Sequence, residues 1–220
     1  MDLKLHEKFV LLTINDEKGN IAYGYSNTYG FAGAILMELV QKELITLEDK
    51  KIVLTDKSDD SEILTEAIEL LKTKKLPIKV QNAIQLLSNK FHKKFDEVIQ
   101  GLIEKGILKL EEKKVLWVFN IKHFPTKNSE PEHLVKSKIK GVVLYGDHAD
   151  FESLSLIGLI NVLELHKEIF NKEEMKKAKQ KIKEILKKDN IANDIQAIIQ
   201  DEIMTAVALS LITTSVATSS

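Results

Sequence analysis

The chain has 220 residues, of which 44% are apolar, and this length and composition are typical of a folded protein with a sizeable core. Cysteine is absent, which excludes thiol catalysis, disulfides and cysteine-ligated zinc or iron–sulfur sites. The 32 basic residues are all lysines and nearly balance the 33 acidic residues. The protein therefore has no strong overall charge to attract polyanions and no guanidinium group for bidentate phosphate contacts.

The beginning of the chain shows no secretory signal, because the residues after Met1 contain no uninterrupted apolar run. The longest apolar stretches are Phe31–Val40, Leu154–Leu165 and Ile203–Ile212. Each is shorter than the roughly 20 residues that a membrane-spanning helix requires. We therefore expect a cytoplasmic protein.

Apolar spacing in the first half of the chain follows the helical period. It predicts a first helix that carries Leu5, Phe9 and Leu12 and ends near Asn15. The further predicted elements are a helix at about 28–42, a strand at 52–54, and helices at about 62–74, 80–87 and 92–105.

The period changes after Gly106. Residues 107–110 and 115–119 are rich in β-forming side chains and flank the polar segment 111–114. This pattern predicts a hairpin at about 107–119 with a four-residue turn. A loop at 123–131 follows, and the helices predicted after it lie at about 132–144, 149–165, 172–188 and 190–217.

Helices without a polar side must be surrounded by other helices. Ser153–Leu165 and Ile203–Ile212 have this character, and Gly30 and Gly33 allow the second helix to pack closely as a third central element. We expect a mainly α fold with residues 1–220 in a single domain. In this fold, amphipathic helices surround buried central helices and one β-hairpin projects.

The sequence contains no motif for phosphate-loop nucleotide binding, serine hydrolysis or zinc-dependent proteolysis. Asp147, His148 and Asp150 resemble a metal-ligand cluster, but they stand where a helix begins, so capping explains them better. We predict that the protein is not an enzyme and has neither cofactor nor metal. An active site assembled from dispersed acidic and histidine residues is the least supported alternative.

The helix at about 172–188 is rich in lysine and keeps a single apolar stripe. Such a helix either lies on an anionic membrane or is a solvated outer helix whose stripe faces the core. We favour the second interpretation.

Six short motifs follow one another along nearly the whole chain. They are Leu5–Leu12, Asp16 with Gly19, Tyr29–Leu39, Leu102–Leu108, Phe124-Pro125, and Asp150 leading into Leu154–Leu159. Their order and spacing resemble the Golgi phosphoprotein 3 family, including its prokaryotic members. The resemblance implies a helical bundle with a projecting hairpin and no catalytic activity. It also implies a peripheral membrane adaptor that binds phosphatidylinositol 4-phosphate and the cytosolic tails of membrane proteins.

The family's lipid site is only partly retained. Its tryptophan falls at Tyr23, which is still aromatic, whereas its arginines fall at Ala32, His92 and Phe95, none of which has a guanidinium group. We expect weak or altered binding of anionic lipids. The candidate phosphoinositide-binding residues are Tyr23, His92, Lys93 and Lys94.

The hairpin serves in self-association and membrane contact in the family, and an exposed ribbon with an apolar face tends to find a partner. We therefore expect a homo-oligomer. The candidate membrane or oligomer contacts are Leu116, Trp117 and Phe119.

Nucleic-acid binding is the main alternative function, because two helices followed by a hairpin at 80–119 also suit a winged helix-turn-helix. The modest positive charge of this segment and the lack of arginine make specific DNA recognition poor, so no nucleic-acid partner is expected.

Overall fold

The computed structural model describes residues 2–15, 18–21, 26–115, 119–188, 198–203 and 205. Most of these residues are helical, which confirms the mainly α fold. The helices are α1 (Leu5–Leu12), α2 (Ser26–Gln41), α3 (Glu62–Lys72), α4 (Val80–Lys90), α5 (His92–Glu104), α6 (Glu130–Lys140), α7 (Phe151–Val162), α8 (His166–Ile169) and α9 (Met175–Lys188). A π-helical turn at Gly141–Tyr145 extends α6, and residues 198–203 are helical too.

Helix α2 lies at the centre of the fold, in contact with α1, α4, α5 and α7. Its glycines allow this close packing, as the sequence predicts. A Cβ atom at Gly30 would lie 2.5 Å from Phe9 Cζ, and one at Gly33 would collide with Ile203 Cδ1. The apolar helix α7 is buried along most of its length, and Gly158 approaches Gln200 in the same way. The segment 198–203 thus packs where α2 and α7 meet. Within the described residues, no helix is long and apolar enough to cross a membrane.

Three short strands form an antiparallel sheet beside α4. They are β1 (Ile45–Glu48), β2 (Lys51–Leu54) and β3 (Ile78–Lys79), in the order β1-β2-β3. The sequence predicts only the middle strand of this sheet, at 52–54. The outer strands escape detection because β3 has only two residues and only Ile45 of β1 is fully buried.

The hairpin exists, but its strands are shifted along the chain relative to the prediction. Strand β4 (Glu111–Val115) pairs with β5 (Phe119–His123), so the expected turn 111–114 belongs to a strand. Ile107 and Leu108, which the sequence assigns to the first strand, lie before β4 and are buried in the core. Their apolar character therefore reflects core packing. The charged residues after them form the projecting ribbon.

The base of the hairpin brings together two motifs that are far apart in the sequence. Gly19 adopts φ +63°, and a Cβ atom there would lie 2.5 Å from the backbone nitrogen of Pro125. The Phe124 amide donates a hydrogen bond to the Gly19 carbonyl oxygen at 2.8 Å. Glycine is therefore required at residue 19 both by its left-handed backbone and by the close approach.

Candidate functional site

The candidate lipid-binding residues on α5 lie at its first turn. A single buried residue, Phe91, separates α5 from α4 and anchors the break between the two helices. His92 and Lys93 are exposed just after it, and Lys94 is half-buried. The structure therefore brings these three neighbours to one edge of the molecule, with His92 and Lys93 open to a ligand.

Lys94 is engaged by two carboxylates. Its Nζ atom lies 2.7 Å from Glu66 Oε1 and 2.9 Å from Glu97 Oε2. Hydrogen bonds to Glu66 and Glu97 raise the pKa of the Lys94 ammonium, and they outweigh the opposing effect of burial. A lipid phosphate would have to compete with both carboxylates for this ammonium group.

His92 and Lys93 make fewer interactions with neighbouring residues than Lys94 does. His92 Nδ1 lies 3.2 Å from the Asn89 carbonyl oxygen, which leaves the other ring nitrogen open to a ligand. The Lys93 ammonium makes no ion pair with the described part of the chain. Lys93 is therefore the better placed of the two α5 lysines to meet an anion, as a point charge with monodentate contacts.

The other two positions at which the family has arginine are inside the protein. Ala32 is fully buried in α2, and Phe95 is 6% exposed on α5. Phe31 meets Phe95 edge-to-face, with 5.4 Å between the ring centroids. The space between α2 and α5 is therefore packed with aromatic rings where the family places cations.

A buried hydrogen-bonded pair, His6 and Glu38, lies next to these rings, and sequence reasoning missed it. His6 Nδ1 is 2.7 Å from Glu38 Oε2, and the two residues are 3% and 2% exposed. The His6 ring also meets Phe31 edge-on at 6.2 Å. A histidine and a glutamate within otherwise apolar helical segments were the available signal, but their partnership across 32 residues of sequence could not be inferred from spacing.

Several predicted site residues cannot be placed. Tyr23, Leu116 and Trp117 lie outside the described residues, and for Phe119 only the backbone, in β5, is described. The hairpin itself is fixed at its base, where the Lys127 amide donates to the Ile107 carbonyl oxygen at 2.8 Å.

Asp150 caps a helix, as the sequence analysis favours. Its Oδ1 atom accepts a hydrogen bond from the Ser153 amide at 2.8 Å, at the start of α7. No group of three or more acidic or histidine residues converges as a metal site within the ranges that the structure describes.

A pocket of about 160 Å³ opens between α1, α6 and α7, and sequence reasoning did not predict it. Its walls are mainly apolar, and Lys8 at one end is held by both oxygens of Glu152 at 2.8 Å. The hydroxyl of Ser153 is buried there without a hydrogen-bond partner among the described residues. No described histidine lines the pocket beside this serine.

Residues 5–204 match the model of the family described as Golgi phosphoprotein 3 (GPP34). The match runs from the first residue of α1 to just beyond the helical segment 198–203. Because it covers most of the chain, the protein belongs to the Golgi phosphoprotein 3 family.

Proposed function

We propose that the protein is a non-enzymatic peripheral membrane adaptor that binds anionic phospholipid headgroups, with phosphatidylinositol 4-phosphate as the ligand implied by its family. The family match over residues 5–204 is the observation that carries this proposal. The protein acts in the cytoplasm and at the membrane surface.

The lipid site in this proposal consists of Tyr23, His92 and Lys93, with Lys94 as a partly neutralised neighbour. Its affinity is lower than a site with several arginines would provide, because a lysine ammonium makes one directed contact where a guanidinium makes two. The burial of Phe95 and Ala32 supports this weakening, since neither position can supply a cation.

Two kinds of protein contact complete the proposal. Self-association takes place through the hairpin, with Leu116, Trp117 and Phe119 as contacts that can also touch the membrane. The cytosolic tails of membrane proteins are the second kind of partner, in line with the adaptor role of the family.

Sedimentation with vesicles tests the lipid proposal. At low salt, we expect more protein to sediment with phosphatidylcholine vesicles containing phosphatidylinositol 4-phosphate than with phosphatidylcholine alone. Lys93→Glu should lower the affinity about tenfold, because it replaces attraction to the phosphate by repulsion. Lys74→Glu, at another exposed lysine, is the matched control and should bind as the unmodified protein does. Equal recovery with neutral and anionic vesicles would remove the lipid role.

The winged-helix alternative gains no support from α5, which would be its recognition helix. The exposed side of α5 carries Asp96, Glu97 and Glu104. These carboxylates would face the phosphates of a duplex and repel them. Helices α4 and α5 are also joined by one residue, whereas a helix-turn-helix uses a turn of about three or four.

A further inference from the structure

Helix α9 packs against the π-helical turn, α7 and α8 through the apolar stripe that its sequence predicts. Ala178 and Ile182 are fully buried, and Ile185 and Leu186 are half-buried. The apolar side of α9 is therefore committed to the core and is not free to insert into a bilayer. Its opposite side faces solvent.

That solvent side carries a row of lysines, which we call the α9 lysine row. Successive members are four, three, four and four residues apart. The last four therefore lie along one side of α9, and the first stands in the turn just before the helix. All are exposed, and none makes an ion pair with a described residue, whereas nearby Lys181 pairs with Glu184 at 2.8 Å. The row consists of Lys172, Lys176, Lys179, Lys183 and Lys187.

The row is long and straight. From Lys176 to Lys187 it extends roughly 17 Å along the helix axis. Ammonium groups on one side of a straight helix can all meet a flat surface at once. A duplex presents a curved row of phosphates, which fits such a row less completely.

We propose that the α9 lysine row is the surface on which the protein lies on an anionic bilayer. The inference rests on the proposed binding to anionic lipids and names the face responsible for most of the attraction. The contrast with α5 supports it, because Lys94 is occupied by Glu66 and Glu97 while the lysines of the row have no such partners within the described ranges. Contact is electrostatic, without insertion of the helix, so it weakens steeply as salt increases.

The test measures binding of the full chain to phosphatidylcholine vesicles with and without phosphatidylserine, at low and high salt. The variant K176E/K179E/K183E should lose at least about tenfold in affinity for the anionic vesicles at low salt. The control K74E/K75E/K79E makes the same charge change at three exposed lysines elsewhere and should stay within about twofold.

Thermal melts followed by circular dichroism show whether the variants fold, and K176Q/K179Q/K183Q provides a milder change with an intermediate loss expected. If the unmodified protein ignores anionic vesicles, the proposed function fails and this inference fails with it. If the unmodified protein binds anionic vesicles and K176E/K179E/K183E binds them as well as the control K74E/K75E/K79E does, the inference alone is overturned. Stronger binding to duplex DNA or RNA than to vesicles, lost in K176E/K179E/K183E, would overturn the bilayer as the partner.

Discussion

Asp150 shows how one side chain fixes both a helix start and a local charge. It accepts hydrogen bonds from the Ser153 amide at 2.8 Å and from Lys138 Nζ at 2.7 Å. Burial raises the pKa of this carboxyl, but the hydrogen bonds from Lys138 and Ser153 outweigh burial and lower the pKa to about 2, from an ordinary value of 3.8. The ionised carboxylate of Asp150 therefore stabilises the folded state.

Asp150→Ala should lower the free energy of unfolding at pH 7 by about 1 kcal/mol, because the cap of α7 is lost. The difference from the unmodified protein should be complete above about pH 4 and shrink as pH falls through about 2, since protonation removes the same interactions. Urea unfolding at a series of pH values measures it. Asp150→Asn, which keeps the cap and loses only the charge, should cost less than the alanine variant. A loss with alanine that does not change with pH would contradict this account.

At the residue scale, sequence predicts local roles better than long-range partners. The cap at Asp150 follows from its position before an apolar helix, because the partner amide is three residues away. The pairing of His6 with Glu38 depends on how α1 and α2 are placed against each other, which spacing does not fix. The engagement of Lys94 by Glu66 on α3 was missed for the same reason. One of the four candidate lipid-binding residues, Lys94, thus has a partner that sequence spacing does not reveal.

At the element scale, apolar periodicity locates the helices because each buries a continuous stripe. The stripes of α3, α5 and α9 appear in the structure as buried sides. Strands are harder to predict in this chain because they are short and little buried. Ile107 and Leu108 were interpreted as a strand although they anchor the hairpin in the core, and the real strand β4 begins with four charged residues.

The close packing around α2 gives a prediction at this scale. Gly30→Ala should cost about 1–3 kcal/mol of stability, because its new methyl group would press on Phe9, which is 1% exposed, and on Leu163. Gly101→Ala in α5 is the matched control, with no atom within 4 Å of its Cβ position. That variant should be stabilised by up to about 1 kcal/mol, since alanine favours the helix. Thermal or urea unfolding compares the two. Equal effects would show that the contact at Gly30 is not tight.

On the scale of the whole molecule, the apolar residues of these elements form one continuous cluster from Leu3 to Ile203. The projecting hairpin stands apart from this core, and its role as an oligomer contact stays a prediction. Replacing residues 112–122 with Asn-Gly joins Glu111 to His123, which already face each other across the ribbon. We expect this replacement to lower the molar mass in solution to that of the monomer, as measured by light scattering.

The variant L116S/W117S/F119S keeps the ribbon and removes the three apolar side chains proposed as contacts. It should have the same effect on molar mass as the deletion, because association is attributed to those three residues. An unchanged mass in both variants would exclude the hairpin as the contact. A smaller mass in the deletion alone would assign association to other parts of the ribbon, either its backbone edge or its remaining apolar side chains.

The residues that close around α2 come from distant parts of the chain. Phe9 meets Gly30 from one side, and Ile203 reaches Gly33 from the segment 198–203. During synthesis on a ribosome, α1 and α2 emerge long before Ile203 is made. Their apolar sides are therefore not fully covered until the last part of the core has been added. In chains stalled before Ile203 has left the exit tunnel, the apolar sides of α1 and α2 should therefore stay accessible to proteases and chaperones. Release of the complete polypeptide should cover these apolar sides.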